Sequence, residues 1–119
     1  MSDNLLVTLS KQFAVDMIQL CEVMKTRGRA TAIINQLLRS GTTIGANIHE
    51  ANYACSKADF INKFQIALKE CYETDYWLGV FREAGILSKD EYDKAFVQSS
   101  KIRKLLIASV TTAKQNMET

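Results

Sequence analysis

The chain has 119 residues, of which 47% are hydrophobic and 24% charged, with 15 Lys+Arg against 13 Asp+Glu, five glycines and no proline. A chain of this size buries roughly two-thirds of its unfolded surface in one core, so a single domain over residues 1–119 is expected. An average composition would supply about six prolines; their absence disfavours turn-rich all-β folds. A net charge of +2 rules out a disordered polyelectrolyte and by itself offers little to a polyanionic partner.

Leu6, Leu9, Phe13, Met17, Leu20 and Met24 recur at steps of three and four and draw one stripe on a 3.6-residue helix. The first helix is therefore expected over Leu6–Met24, ending near Gly28, which can adopt the left-handed conformation of a helix end. From Ala30, the positions Ile34, Leu37, Gly41, Ile44, Ile48, Ala51 and Cys55 keep a 3-4 alternation, predicting a second helix of about 25 residues with a narrow bundle seam. Its middle, Ser40 to Asn47, is made of small and β-branched residues, and Gly45 alone costs about 1 kcal/mol relative to Ala. Something beyond local propensity must hold it, either close approach of a neighbouring helix or a kink at Gly45.

Ser56-Lys57-Ala58-Asp59 has the spacing of a capping box and opens the third helix. Phe60, Phe64, Ala67, Cys71, Leu78 and Phe81 form its main stripe, while Ile61, Ile66, Tyr72, Tyr76, Trp77 and Val80 fall on other sides. One stripe cannot bury them all, which makes Tyr72, Tyr76, Trp77 and Val80 the candidate oligomer interface. Gly85-Ile86 supplies the glycine and hydrophobic residue of a Schellman end. Ser88-Lys89-Asp90-Glu91 is a complete S-x-x-E box, with Leu87 placed to staple against Tyr92. The fourth helix runs on Phe96, Ile102, Leu106 and Val110 and frays near Asn116, with its acids early and Lys101, Arg103, Lys104 and Lys114 later, as the helix dipole favours. Four amphipathic helices with short links specify an all-α, up-down-up-down antiparallel four-helix bundle.

Chemistry is sparse. His49 is the single histidine, and position 53 is Tyr rather than the second histidine of H-E-x-x-H, so a zincin site fails. No Glu-x-x-His occurs, which removes the di-iron bundle, and no metal or cofactor is expected. Cys21, Cys55 and Cys71 are odd in number, without C-x-x-C spacing, and fit a reducing cytoplasm; Cys55 and Cys71 read as seam hydrophobes. No apolar run reaches the roughly 18 residues that would span a bilayer, and MSDNLLVTLSKQF lacks a basic leader followed by a long apolar stretch, so a soluble, unexported protein with no membrane role is expected. Glu70, Glu73 and Asp75 form an acidic patch, read as a solvated face paired with lysines or as partners of basic residues on another protomer. Two basic clusters, Lys25/Arg27/Arg29 at the first link and Lys101/Arg103/Lys104 on the fourth helix, are the candidate nucleic-acid contacts. Neither carries interleaved aromatics in its own sequence.

Leu38-Arg39-Ser40-Gly41 with Ile44-Gly45-Ala46-Asn47-Ile48-His49-Glu50-Ala51, then Ser56 to Phe60, Ile66 to Glu70 with Glu73, and Ala84 to Ser88, resemble the four-helix bundle proteins encoded in intervening sequences of bacterial 23S ribosomal RNA genes. The pattern departs at Gly45, where many members have Pro, and at Ala51, where Gly is common. The resemblance implies an all-α bundle that assembles into a homopentameric ring without enzymatic activity. The chain is also similar to the accessory variability determinant proteins of diversity-generating retroelements, which are basic pentamers that bind nucleic acid and a reverse transcriptase. The resulting expectation is a non-enzymatic oligomeric scaffold for RNA or single-stranded DNA, the alternative being a protein–protein adaptor.

Overall fold

Helices α1 (Ser2–Thr26), α2 (Thr31–Ala51), α3 (Lys57–Glu83) and α4 (Lys89–Glu118) make up a computed structural model that describes residues 2–118, with side chains described over 5–117. Each helix packs on its sequence neighbours and α4 closes on α1; no diagonal pair touches among the described residues, the pattern of an up-down-up-down bundle. The result is a rod of 52 × 21 × 19 Å.

The core follows the predicted seams, with shifts of one position. On α1 the buried line is Leu6, Ser10, Phe13, Met17, Cys21 and Met24, while Leu9 and Leu20 sit at its margin. On α3 Ile61 is buried and Phe60 is the marginal residue, because Phe60 leans on Phe64 with ring centroids 4.4 Å apart. Gly41 and Ile44 face the core and α2 is unbroken through Ser40–Asn47. Close approach, not a kink, explains the small residues: a Cβ on Gly45 would lie 3.1 Å from the Ser10 carbonyl oxygen, and one on Gly41 would lie 2.7 Å from Met17 Cγ.

The caps form as read. Ser88 Oγ accepts from the Glu91 amide at 3.1 Å while Glu91 accepts from the Ser88 amide at 2.9 Å. Gly85 takes φ 76°, and the Ile86 amide donates to the Phe81 carbonyl at 2.9 Å, completing the Schellman geometry. Burial pushes the Cys21 thiol up to about 11 and the Cys71 thiol up to about 12, so both stay protonated and inert.

The second seam is shorter than its periodicity suggests. Helix α2 stops at Ala51 and Cys55 is exposed, not on the seam. The Asn52 and Tyr53 amides donate to His49 and Glu50 carbonyls in a closing turn, and Ser56 then caps α3 by accepting from the Asp59 amide at 3.0 Å. Cys55 precedes that cap and donates its amide to the Asp59 carboxylate at 3.3 Å, so capping ends the helix before the heptad pattern does.

Candidate functional site

The two basic clusters meet different fates. Arg27, in the α1–α2 link, reaches across to the α3–α4 link: its guanidinium donates to both Glu91 oxygens at 3.0 and 2.7 Å and to the Ile86 carbonyl at 2.5 Å. This bidentate pair, together with the Ser88 amide, holds the Glu91 carboxyl down to about 2. Arg27 is thus a clamp between two links at one end of the rod, its charge shared with Glu91. Lys25 donates to Asn35 at 2.5 Å, and Arg29 is exposed.

Arg103 is also engaged, 3.5 Å from the Asp75 carboxylate and donating to Ser100 at 3.1 Å, while Ser99 donates to Asp75 at 2.7 Å. Burial lifts the Asp75 carboxyl above its ordinary value, against the opposing pull of Ser99 and Arg103. The guanidinium carbon lies 5.9 Å from the centroid of the Tyr72 ring, so the cation is shared between a carboxylate and an aromatic face. Lys101 and Lys104 are exposed, and from Lys94 to Met117 α4 carries no carboxylate at all. Arg27 docks at Glu91, twelve positions before Arg103, so the two clusters sit about 18 Å apart along the rod and form no joint patch in one protomer.

The acidic residues pair with arginines, not lysines. Arg39 of α2 binds Glu70 at 3.3 Å and also Glu73, Thr43 donates to Glu70 at 3.1 Å, and Trp77 Nε1 donates to Glu73 at 3.4 Å. Beneath them Thr74 donates to Ser40 at 3.0 Å in a buried hydroxyl pair. Glu70 and Glu73 are therefore each paired within the chain.

Of the four residues read as an oligomer surface, Trp77 and Val80 pack partly against their own core, Trp77 stacking on Phe81 with centroids 6.0 Å apart. Tyr72 and Tyr76 remain 54% and 62% exposed. Spacing of three and seven puts Lys69, Tyr72 and Tyr76 on one face of α3. Packing sets that face beside Arg103 of α4, which lies over the Tyr72 ring and donates to Ser100. A cation 31 residues away in sequence is thus brought over a tyrosine ring on the α3–α4 flank. Among the described residues no three His, Cys, Asp or Glu side chains are placed to hold a metal, and no helix is long and apolar enough to cross a membrane.

A model of the 23S rRNA-intervening sequence protein family matches residues 2–108. The chain belongs to that family. It is also similar to a protein of unknown function from the S23 ribosomal protein family of Bacteroides thetaiotaomicron, known by crystal structure: the two are 41% identical, over 93% of this chain and 99% of the other, with a TM-score of 0.90. No curated protein matches. The family relation agrees with the four-helix fold, and neither the family description nor that of the solved relative names an enzymatic activity.

Proposed function

We propose that this family member is a non-enzymatic, self-associating binding module of the cytoplasm, whose α3–α4 flank holds single-stranded nucleic acid. The observation that carries the reading is the exposed pair Tyr72 and Tyr76, with Arg103 over the Tyr72 ring and Lys69 on the same face of α3. Stacked bases need flat, accessible rings, and the backbone needs cations a few ångströms away; this flank supplies both. One copy offers few phosphate contacts, and the Asp75 carboxylate offsets part of the Arg103 charge. Self-association supplies the repetition that useful affinity requires, and the ring of five implied by the family resemblance would present the flank once per subunit.

The experiment is fluorescence anisotropy with labelled oligo(U) and oligo(dT) at low salt, beside light scattering. A mass several times 13.4 kDa is expected. Tyr72→Ala and Tyr76→Ala should each weaken strand binding by about 1–3 kcal/mol, the range of one base–aromatic stack. Lys104→Ala should flatten the logarithmic salt slope by about 0.7, and Arg29→Ala should leave it unchanged. A second reading, a protein adaptor that uses the same tyrosines, is supported by the exposed Val97 and Ile107 of α4. If no strand binds at about 50 µM, near the usual range for non-specific contacts, that reading takes precedence.

A further inference from the structure

The α3–α4 flank contains its own competitor for the cation it offers. Asp75 follows Tyr72 by one turn of α3 and faces α4, with 17% of its side chain exposed. One carboxylate oxygen accepts from the hydroxyl of fully buried Ser99 at 2.7 Å, which fixes the group in place. The other lies 3.5 Å from Arg103 Nε, and that nitrogen is buried and makes no hydrogen bond among the described residues. Arg103 is steadied by other contacts, donating to the Ser100 hydroxyl at 3.1 Å and lying over the Tyr72 ring. The carboxylate thus offsets the charge of Arg103 without being its sole support.

An ion pair without a hydrogen bond is weaker than the bidentate pair that a guanidinium makes with a phosphate, so the two anions compete for one fork of donors. While Asp75 is ionised, an incoming phosphate also meets its negative charge in a partly desolvated setting. Burial pushes the Asp75 carboxyl above its ordinary value, with Ser99 and Arg103 pulling the other way. Drawing Arg103 toward a phosphate weakens one of those opposing pulls and adds a second negative charge, so binding favours uptake of a proton by Asp75. Among the described residues, Arg103 is the charged group that acts on Asp75 from α4, while on the α2 side Arg39 is committed to Glu70 and Glu73. On its own helix Cys71 feels Asp75, and burial keeps that thiol neutral.

We propose that Asp75 is a proton-operated brake on the strand-binding flank: as a carboxylate it occupies Arg103 in place of a backbone phosphate, and when protonated it releases that guanidinium to single-stranded nucleic acid. The inference rests on the strand-binding reading and adds to it the group that regulates it.

The test measures oligo(dT) anisotropy on the full-length protein at neutral pH and at about pH 5, toward the range where a buried carboxyl protonates. The parent should bind more tightly at the lower pH, and calorimetry in buffers of different ionisation enthalpy should show a proton taken up on binding. Asp75→Asn keeps an acceptor for Ser99 and removes the charge. At neutral pH it should bind about three times more tightly or better, steepen the logarithmic salt slope by about 0.7, and lose the pH dependence. Circular dichroism melts establish that the variant is folded; should it unfold, proton uptake by the parent carries the test, and its absence overturns the proposal. Unchanged or weakened affinity in folded Asp75→Asn, while the parent binds, would overturn the brake and leave strand binding standing. Binding by Asp75→Asn alone would support a brake that is fully applied at neutral pH. Failure of both proteins to bind at about 50 µM would overturn the strand reading and the brake with it. His49, the single histidine, lines a cavity between α1 and α2. A pH dependence that survives Asp75→Asn and vanishes in His49→Gln would assign the proton to the histidine and overturn the proposal.

Discussion

The α1–α2 and α3–α4 seams are both antiparallel helix crossings, yet they are built by opposite means. Between α1 and α2 the side chains are pared away until backbone meets backbone, with Gly45 against the Ser10 carbonyl and Gly41 against Met17. Between α3 and α4 the helices are bridged by long polar groups: Ser99 and Arg103 meet Asp75, and Tyr72 lies beside Arg103. Gly79, also on α3, has open space where its Cβ would be. A seam closed by contact of backbones tolerates no added volume, whereas one bridged by side chains leaves aromatic and charged groups at the surface, where they can meet a partner.

Breaking the tight seam should give the largest effect. Ile44→Asp places an unpaired carboxylate at a fully buried position of α2 and should cost about 4 kcal/mol in urea unfolding. A melting temperature within a degree or two of the parent would mean that the seam is misplaced.

The contrast is sharpened by making one substitution in both places. Gly45→Ala drives a methyl toward the Ser10 backbone at 3.1 Å and should destabilise by about 2 kcal/mol despite the better helix propensity of alanine. Gly79→Ala meets nothing within 4 Å and should stabilise by about 1 kcal/mol. Thermal unfolding that moved both variants in the same direction would erase the distinction between the seams.

The Arg27–Glu91 pair ties the links of the two helix pairs together. Glu91 holds its proton more weakly when folded, at about 2, than at its ordinary value of 4.5, so the pair stabilises the fold fully above pH 4.5. That contribution is lost as the pH falls from 4.5 toward 2. Allowing for solvent screening of a guanidinium about one-third exposed, Arg27→Ala should cost about 1.5 kcal/mol at pH 7. The gap between parent and variant should close in acid titrations below pH 4.5, and a constant gap would assign the stabilisation to the Ile86 carbonyl contact instead.

The smallest change concerns the start of α4. Ser88→Ala removes the acceptor for the Glu91 amide and should lower stability by about 1 kcal/mol, shifting α4 while sparing the α1–α2 seam. Hydrogen exchange of the first-turn amides of α4 measures it directly; unchanged protection would place the helix start elsewhere.

The chain's local rules were legible wherever a feature is settled within a few residues. Periodicity marked the helices, Ser56 and Ser88 marked two starts, and Gly28 and Gly85, with φ of 73° and 76°, marked two ends. Periodicity misled at Cys55 because a 3-4 pattern has no means of registering that Ser56 has already claimed the next helix. The site was less legible. Arg27 reads as a free cation until Glu91, 64 residues later, is brought to it, and Glu70 and Glu73 read as a solvated patch until Arg39 closes on them.

Amphipathic period, caps and the absence of proline by themselves determined that this would be a bundle of four helices, because those forces act over one or two turns. Only the packing of α3 on α4 set Tyr72 beside Arg103, and only the packing of α1 on α2 brought Lys11 and His49 to the walls of one cavity. Charge and exposure are properties of a surface, and a surface exists once helices distant in sequence have fixed which faces turn inward.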